Sequence, residues 1–110
     1  MATAIEYFDD EFSVIAPGTP GFGLSDYRKG TPSDITIYAE MVKEFVDALG
    51  LSELCIYGFH TGAIIGAEMA RLYPDLCKAV VVNGLWVADK DEVDLILQHY
   101  TEWFEPTPNG

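Results

Sequence analysis

The 110-residue chain has the composition of one globular domain and a strongly acidic character. Hydrophobic residues make up 49% of it, and the formal net charge is −12. Such a charge repels phosphate backbones and anionic headgroups, which argues against nucleic acid or a membrane surface as a partner. No apolar run reaches the roughly 20 residues that span a bilayer, and no basic-then-apolar leader opens the chain. Cys55 and Cys77 fall in predicted core strands and are expected to be buried, reduced thiols, which favours a cytoplasmic protein.

The first part of the chain predicts a strand followed by a structured loop. Residues 1–11 are mixed and acidic and are compatible with the remnant of a helix. The sequence FSVIA at residues 12–16 combines β-branched and aromatic residues and predicts a buried strand. Residues 17–26, PGTPGFGLSD, contain too many prolines and glycines to continue a strand or a helix, so they form a loop.

The next segment predicts an amphipathic helix. Ser33 is a suitable N-cap with Asp34 in the first turn, and Gly50 is a typical C-terminal stop. Between them, apolar residues recur at three- and four-residue steps and form one face: Ile35, Tyr38, Met41, Val42, Phe45, Val46 and Leu49.

Two further strands are predicted near residues 54–57 and 78–83, with a helix over residues 61–73 between them. That helix is rich in small residues, which allows it to pack close to a sheet. The unbroken apolar character of residues 78–83 suits a parallel sheet that is buried on both faces. Together with the first strand and helix, this order is a right-handed βαβαβ run. Residues 89–105 predict one more amphipathic helix.

The junction between the second strand and its helix carries the motif G-F-H-T-G at residues 58–62. A strand that ends in G-x-[nucleophile]-x-G and turns sharply into a helix is a nucleophile elbow. The side chain at the apex, His60, is then expected to sit on strained backbone. Positions 58 and 62 are expected to require glycine, because the tight turn leaves no room for side chains on either side of the apex.

Two motifs in this order resemble the α/β-hydrolase fold family. Residues 20–25, PGFGLS, are similar to the loop after the family's fourth strand, although Gly18 stands where the family usually has Asp. The G-F-H-T-G motif is similar to the family's elbow, with His60 where Ser, Asp or Cys is usual. The loop resembles that of the lidded epoxide-hydrolase and haloalkane-dehalogenase branches. The resemblance extends over residues 12–104.

The resemblance implies an α/β fold, a three-layer sandwich with a partial α/β-hydrolase core. Its parallel strands are expected near residues 12–16, 54–57 and 78–83, with the partial core over residues 1–86 and the beginning of a helical cap over residues 87–110. In the family's sheet the third strand lies between the fourth and the fifth, and the match begins at the fourth. We therefore expect a fragment with a gap of about 9–10 Å in its sheet, or a re-pairing. Open strand edges would favour a complementing chain or self-association.

The resemblance also implies roles for four residues. His60 holds the nucleophile position and the backbone N–H of Thr61 is an oxyanion donor. Phe59 and Trp86 are expected to contact a small apolar organic substrate. The cap residues Trp103 and Phe104 are further candidates for the pocket lining. No cofactor and no metal site are expected.

The family reaction is hydrolysis of an ester, epoxide or carbon–halogen bond through the elbow residue. The triad acid, the triad base and half of the oxyanion hole are missing from the match, and His99 lies on a mostly solvated helix. We therefore expect the chain alone to be inactive, although a neutral imidazole can attack a carbonyl without a separate base. The alternative is a non-catalytic member that binds a small ligand or a partner protein. A nucleotide-binding βαβ unit is a third interpretation with less support than these two, because the spacing of the glycines does not match G-x-G-x-x-G.

Overall fold

The computed structural model describes residues 2–26, 29–30 and 34–100. Its elements in chain order are α1 (Ala2–Phe8), α2 (Ile35–Ala48), β1 (Leu54–Phe59), α3 (Thr61–Leu72), β2 (Cys77–Asn83) and α4 (Lys90–Tyr100). None of the helices in these ranges combines the length and the apolar character needed to cross a membrane.

Strands β1 and β2 form a parallel two-stranded sheet. Their register pairs Ile56 with Val80 and Phe59 with Asn83. Helix α3 connects the two strands and packs against both, and α2 packs against α3. Both helices therefore lie on the same face of the sheet, which is the arrangement of a partial α/β core. The predicted α/β class and both of these strands are confirmed.

Helix α2 begins one residue later than predicted. Asp34 is its N-cap, with extended backbone, and its side chain accepts a hydrogen bond from the Thr36 N–H at 2.8 Å. Ser33, the predicted cap, lies outside the described residues. The predicted stop is confirmed, because Gly50 has φ +69° and its N–H donates to the Asp47 carbonyl at 2.9 Å.

The hydrophobic core lies mainly between α2 and α3. Val46 comes from the predicted apolar face of α2, and Ala39 lies beside that face on the same helix. The complete cluster of buried residues is Ala39, Val46, Ile65, Met69 and Leu76. Residues of α2 and both strands pack around this cluster, among them Tyr38, Val42, Leu54 and Ile56. Phe45 and Leu49, which were predicted to share the core face, are 37% and 46% exposed.

Small residues on α3 bring this helix close to the sheet. A Cβ added to Gly66 would lie 2.9 Å from Ile56 Cγ2 and 3.5 Å from Val80 Cγ1. Ala63 is fully buried one turn earlier. A larger residue at either position would push α3 away from the strands, as the sequence predicted.

A polar contact joins α2 to α3 beside the core. Glu68 Oε1 accepts a hydrogen bond from the Thr36 hydroxyl at 2.7 Å, and both Glu68 oxygens accept from the Arg71 guanidinium. The Glu68 side chain is only 13% exposed. These hydrogen bonds lower the pKa of the Glu68 carboxyl to about 2, those from Arg71 more than that from Thr36. Glu68 thus stays ionised and holds the two helices together.

The strand predicted at residues 12–16 is wrong. These residues form no sheet pairing, and Phe12 and Ile15 are 53% and 50% exposed. A strand needs a neighbour to accept and donate its backbone hydrogen bonds, and no described segment supplies one beside β1. The re-pairing that was the alternative to a gap is absent from the described sheet.

The sheet face opposite α3 is largely open, which corrects the prediction of a sheet buried on both faces. Tyr57 and Val81 point to this face and are 37% and 55% exposed. Among the described elements, α1 reaches this face through one ring contact, in which the Phe8 ring lies 6.1 Å from the Tyr57 ring. Cys55 shares this face and is exposed, so the prediction that it is buried is also wrong. Both cysteines are free thiols, and burial raises the pKa of Cys77.

Helix α4 starts with a reciprocal capping box. The Glu92 N–H donates to Asp89 Oδ1 at 2.9 Å, and the Asp89 N–H donates to Glu92 Oε2 at 3.0 Å. No described helix or strand packs against α4. Its predicted continuation to residue 105, with Trp103 and Phe104, lies outside the described residues.

Candidate active site

Gly58 allows the strand to turn into the helix. A Cβ at this position would collide with the Gly62 carbonyl and would lie 2.6 Å from Ala63 Cα. These are backbone atoms of the following helix, so they cannot move aside. Gly62 does not have the same role, because a Cβ there would meet no described atom within 4 Å. The steric reason given for Gly58 is confirmed and that given for Gly62 is wrong.

His60 occupies the apex of the turn in a strained conformation. Its φ is +49° and its ψ is −116°, and among the described residues it is the one non-glycine with positive φ. Such backbone costs on the order of 1–3 kcal/mol and persists only where the surroundings enforce it. The predicted tight junction between β1 and α3 is therefore present.

Two residues that sequence reasoning did not single out hold this apex. The His60 N–H donates to the Asn83 carbonyl at 2.9 Å, which ties the turn to the end of β2. The His60 ring lies over Gly84, where an added Cβ would be 3.4 Å from Nδ1 and Cε1. The available signal was Asn-Gly at the end of an apolar strand, since the carboxyl ends of neighbouring parallel strands meet at one edge of the sheet.

The imidazole of His60 is available to a ligand. The residue is exposed, and no described side chain or backbone group hydrogen-bonds either ring nitrogen. Its contact with the Phe59 ring is edge-to-face, with centroids 4.2 Å apart. The Nδ1 side faces Gly84, so Nε2 is the nitrogen farther from the backbone.

Two backbone donors follow His60 in the chain, at the start of α3. No described group accepts a hydrogen bond from the N–H of Thr61 or of Gly62, and His60 supplies no side-chain cap. The first N–H groups of a helix are unsatisfied by its own carbonyls and carry its positive dipole end. An anion next to His60 would find two donors there, which is the chemistry that an oxyanion site requires.

The two predicted substrate-binding residues lie on either side of this turn in sequence. Phe59 precedes the apex, is 50% exposed and touches the imidazole. Trp86 follows Gly84 by two residues and is 55% exposed. The structure brings Phe59 to His60, whereas it shows no ring contact between Trp86 and His60.

The loop at residues 17–26 is closed by its own hydrogen bonds. The Ser25 hydroxyl donates to the Gly18 carbonyl at 3.0 Å, and the Gly21 N–H donates to the Asp26 carbonyl at 3.0 Å. A Cβ on Gly18 would lie 2.6 Å from Ser25 Oγ. Ser25 therefore occupies space that a side chain at residue 18 would need, and Gly18 is compatible with an ordered loop.

No described group of three or more His, Cys, Asp or Glu side chains is placed to hold a metal ion. His99 is exposed on α4, which packs against no described element. The structure thus does not bring the second histidine to the elbow within the described part of the chain.

A parallel sheet with a strained apex between strand and helix defines the class of nucleophile-elbow folds. The chain belongs to the α/β-hydrolase fold family, because the sequence model of that family matches residues 2–108. Haloalkane dehalogenase 2 of Mycobacterium tuberculosis is 35% identical over 77 residues, which are 70% of this chain and 27% of that protein. The predicted resemblance to the dehalogenase-like branch is therefore confirmed.

Other relatives are more distant. An uncharacterized hydrolase of Saccharomyces cerevisiae is 24% identical over 74 residues, which are 67% of this chain and 26% of that protein. A protein of Agrobacterium fabrum named for carbamate hydrolysis is 29% identical over 82 residues, 74% of this chain and 31% of that protein. No solved structure matches the chain significantly. The chain spans only about a quarter to a third of the length of these relatives.

Proposed function

We propose that this chain is the central segment of an α/β hydrolase that cleaves an ester, epoxide or carbon–halogen bond. The observation that carries the proposal is the strained backbone of His60, φ +49°, at the carboxyl end of β1. That backbone projects one side chain from the edge of the sheet at which α/β folds bind their ligands. The name of the Mycobacterium tuberculosis relative supports a carbon–halogen bond as one substrate class.

In this proposal the N–H of Thr61 stabilises the negative charge that develops on the substrate. Its support is the lack of a described acceptor for that N–H, together with its place at the start of α3. Backbone donors that need no rearrangement lower the barrier because they are already aimed at the developing charge. Gly62 offers a second N–H in the same turn.

Phe59 and Trp86 form the apolar surroundings of the substrate in this proposal. Both side chains are about half exposed, although large apolar surfaces are usually buried. Residues 1–86 then form the partial core, and residues 87–110 begin a cap that closes over the site. The capping box of Asp89 and Glu92 supports a new helical unit that starts at this point.

We also propose that the chain by itself does not turn substrate over. No described residue hydrogen-bonds the His60 imidazole, so within the described part of the chain no group is placed to orient the ring or to exchange its proton. The chain contains one other histidine, His99, on α4. Small apolar organic molecules are the expected substrates, and a cytoplasmic location remains part of the proposal.

The test is an assay of the purified chain on an activated ester and on a short alkyl bromide. His60→Ala and His60→Ser are the matched variants, and circular dichroism verifies that each keeps its secondary structure. We expect product formation at the rate of the uncatalysed reaction for all three proteins. Repeated turnover by the parent that disappears in His60→Ala would refute the proposed silence.

A second candidate function is non-catalytic binding, and the open sheet face favours it. Tyr57, Phe59 and Val81 expose apolar surface there, and within the described sheet β1 pairs only on one side. Such a surface suits a small apolar ligand, and such an edge suits a strand from a complementing chain or a second copy. Light scattering across a concentration series tests self-association, because a chain that stays monomeric excludes a second copy as the partner.

A further inference from the structure

Asn83 carries the backbone carbonyl that anchors the elbow, and its side chain can react with the residue that follows. It is the last residue of β2, and its carbonyl accepts the His60 N–H at 2.9 Å. Its side-chain amide donates to the Tyr57 hydroxyl at 3.3 Å, a long hydrogen bond that holds the side chain weakly. Gly84 comes next, so the strand ends in an Asn-Gly pair.

An Asn-Gly pair can lose ammonia with water as the only reagent. The backbone nitrogen of the glycine gives its proton to solvent and attacks the side-chain carbon Cγ of the asparagine. The bond from Cγ to the amide nitrogen breaks, ammonia leaves with a proton from water, and a five-membered succinimide remains. Water then opens this ring at either carbonyl carbon and leaves aspartate or isoaspartate. Glycine favours the attack because it has no Cβ to crowd the approaching nitrogen.

We propose that Asn83 is a deamidation site, that the hydrogen bond between its carbonyl and His60 controls the reaction, and that the isoaspartate product releases the elbow. Both residues of the pair are exposed, so solvent reaches them. The Gly84 N–H has no acceptor in the described part of the chain, so no hydrogen bond there retains its proton. The inference goes beyond the proposed function, because it needs no catalytic role of His60.

The elbow controls the reaction because the attack needs a backbone conformation that the strand does not have. In a parallel strand ψ is about +115°, which directs the nitrogen of the next residue away from Cγ. Ring closure needs rotation about the Cα–C bond of Asn83 by about a third of a full turn. The carbonyl oxygen rotates about the same bond, so the hydrogen bond from His60 has to break first. The reaction therefore proceeds from molecules in which this end of β2 has opened.

The isoaspartate product does not restore the original anchor. Its main chain runs through Cβ and Cγ, which adds one carbon to the backbone between residues 83 and 84. The carbonyl that accepted the His60 N–H becomes a carboxylate on a side branch, and the chain that continues to Gly84 no longer fixes it. Gly84, against which the His60 ring lies, is displaced as well. The strained backbone of His60, φ +49°, thus loses contacts that enforce it.

The experiment incubates the full chain in mildly alkaline buffer and follows Asn83 by peptide mass spectrometry, with chromatography that separates aspartate from isoaspartate. Asn109 also precedes a glycine and lies outside the described residues, so the peptide map measures it separately. A synthetic peptide of residues 81–85, VVNGL, gives the rate without a fold, in buffer and in concentrated urea. We expect Asn83 to react at least about tenfold more slowly in the native chain than in the chain unfolded in urea.

Three variants separate opening of the elbow from unfolding of the whole chain. Gly58→Ala places a Cβ against the backbone of the following helix and should speed the deamidation of Asn83. Val46→Ala truncates a core side chain that is 5% exposed and destabilises the chain away from the elbow. Low concentrations of urea bring these two variants to equal free energy of unfolding, where we expect Gly58→Ala to react at least about threefold faster. Gly62→Ala meets no described atom and should leave the rate unchanged.

Release of the elbow has its own measurement. The isoaspartate form is separated from the aged chain and its urea midpoint is compared with that of Asn83→Asp, which gains the charge but keeps the main chain. We expect a lower midpoint for the isoaspartate form. Asn83→Gln closes its larger ring far more slowly and should keep its midpoint through the same incubation.

Three outcomes would overturn the proposal. Deamidation of Asn83 in the native chain at the rate of the free peptide would show that the elbow does not control the reaction. Equal rates in Gly58→Ala and Val46→Ala at matched stability would show that only global unfolding exposes the site. An isoaspartate form as stable as Asn83→Asp would refute release of the elbow.

Discussion

The backbone N–H of His60 donates a hydrogen bond to the carbonyl of Asn83 at 2.9 Å. This bond continues the pairing of β1 with β2 by one residue beyond the Phe59–Asn83 pair. It holds the apex at the end of the neighbouring strand while α3 begins at the next residue, Thr61. The strained backbone of His60 is thus enforced from both sides.

The two glycines of the elbow should respond differently to the same substitution. Gly58→Ala places a Cβ against the backbone of Gly62 and Ala63, and we expect it to destabilise the chain by about 2–3 kcal/mol. Gly62→Ala meets open space within α3 and should change stability by less than about 1 kcal/mol, in the favourable direction. Urea unfolding followed by circular dichroism measures both. Equal losses would show that the turn does not have this geometry.

Removal of the Cβ at the apex should relieve strain. His60→Gly and His60→Ala both delete the imidazole, but only glycine accepts φ +49° without steric cost. We expect His60→Gly to be about 1 kcal/mol more stable than His60→Ala, even after the greater entropy of unfolded glycine is included. The comparison uses the same urea titration. A more stable His60→Ala would contradict strain at this residue.

The Glu68 carboxylate should make stability depend on pH in the acid range. Its pKa is about 2 in the folded chain, below the ordinary value of 4.5, chiefly because of hydrogen bonds from Arg71 and then from Thr36. A lowered folded pKa stabilises the ionised form, so the contribution is complete above pH 4.5 and is lost as pH falls toward 2.

Glu68→Gln should remove that part of the pH dependence, and it should destabilise the chain at neutral pH more than at low pH. The matched control is Glu53→Gln, because Glu53 pairs with Lys78 at the surface, where both side chains are more than half exposed. Exposed pairs contribute little. Urea titrations at several pH values provide the measurement, and an unchanged pH profile in Glu68→Gln would refute the role of this carboxylate.

The two thiols should report which sheet face is open. Cys55 is exposed on the face opposite α3, whereas Cys77 is partly buried and burial raises its pKa. Because the thiolate is the reactive form, we expect Cys55 to react with an aromatic disulfide reagent at least about tenfold faster than Cys77. Cys55→Ser should abolish the fast phase and Cys77→Ser the slow phase. Similar rates would indicate that the open face is covered.

Local patterns predicted the parts of this fold that depend on neighbours in sequence. The apolar periodicity of α2, its stop at Gly50 and the junction at residues 58–62 were all recognisable, because caps, helix faces and tight turns depend on a few adjacent residues. The strand at residues 12–16 was not predictable in the same way. Its composition suits a strand, but pairing requires a neighbouring strand that the described chain does not place there.

The candidate site likewise combines residues that a local motif identifies with residues that only the tertiary structure identifies. His60 and Thr61 follow from the elbow motif, and their catalytic roles stay predictions. Asn83 and Gly84 reach the apex from another strand, so only the parallel register of β1 and β2 identifies them. The exposure of Cys55 could not be predicted for a similar reason, since a residue type indicates a preference for burial and not the presence of a covering layer.

The amino-acid sequence alone determined the class of the fold, the position of the elbow and the identity of the side chain at its apex, because glycine spacing and apolar periodicity are local properties of the chain. Tertiary structure decided which groups surround that side chain, which of the two elbow glycines is sterically required and which face of the sheet is open. These depend on the distance between segments far apart in sequence, and only the packing of α3 against both strands sets that distance.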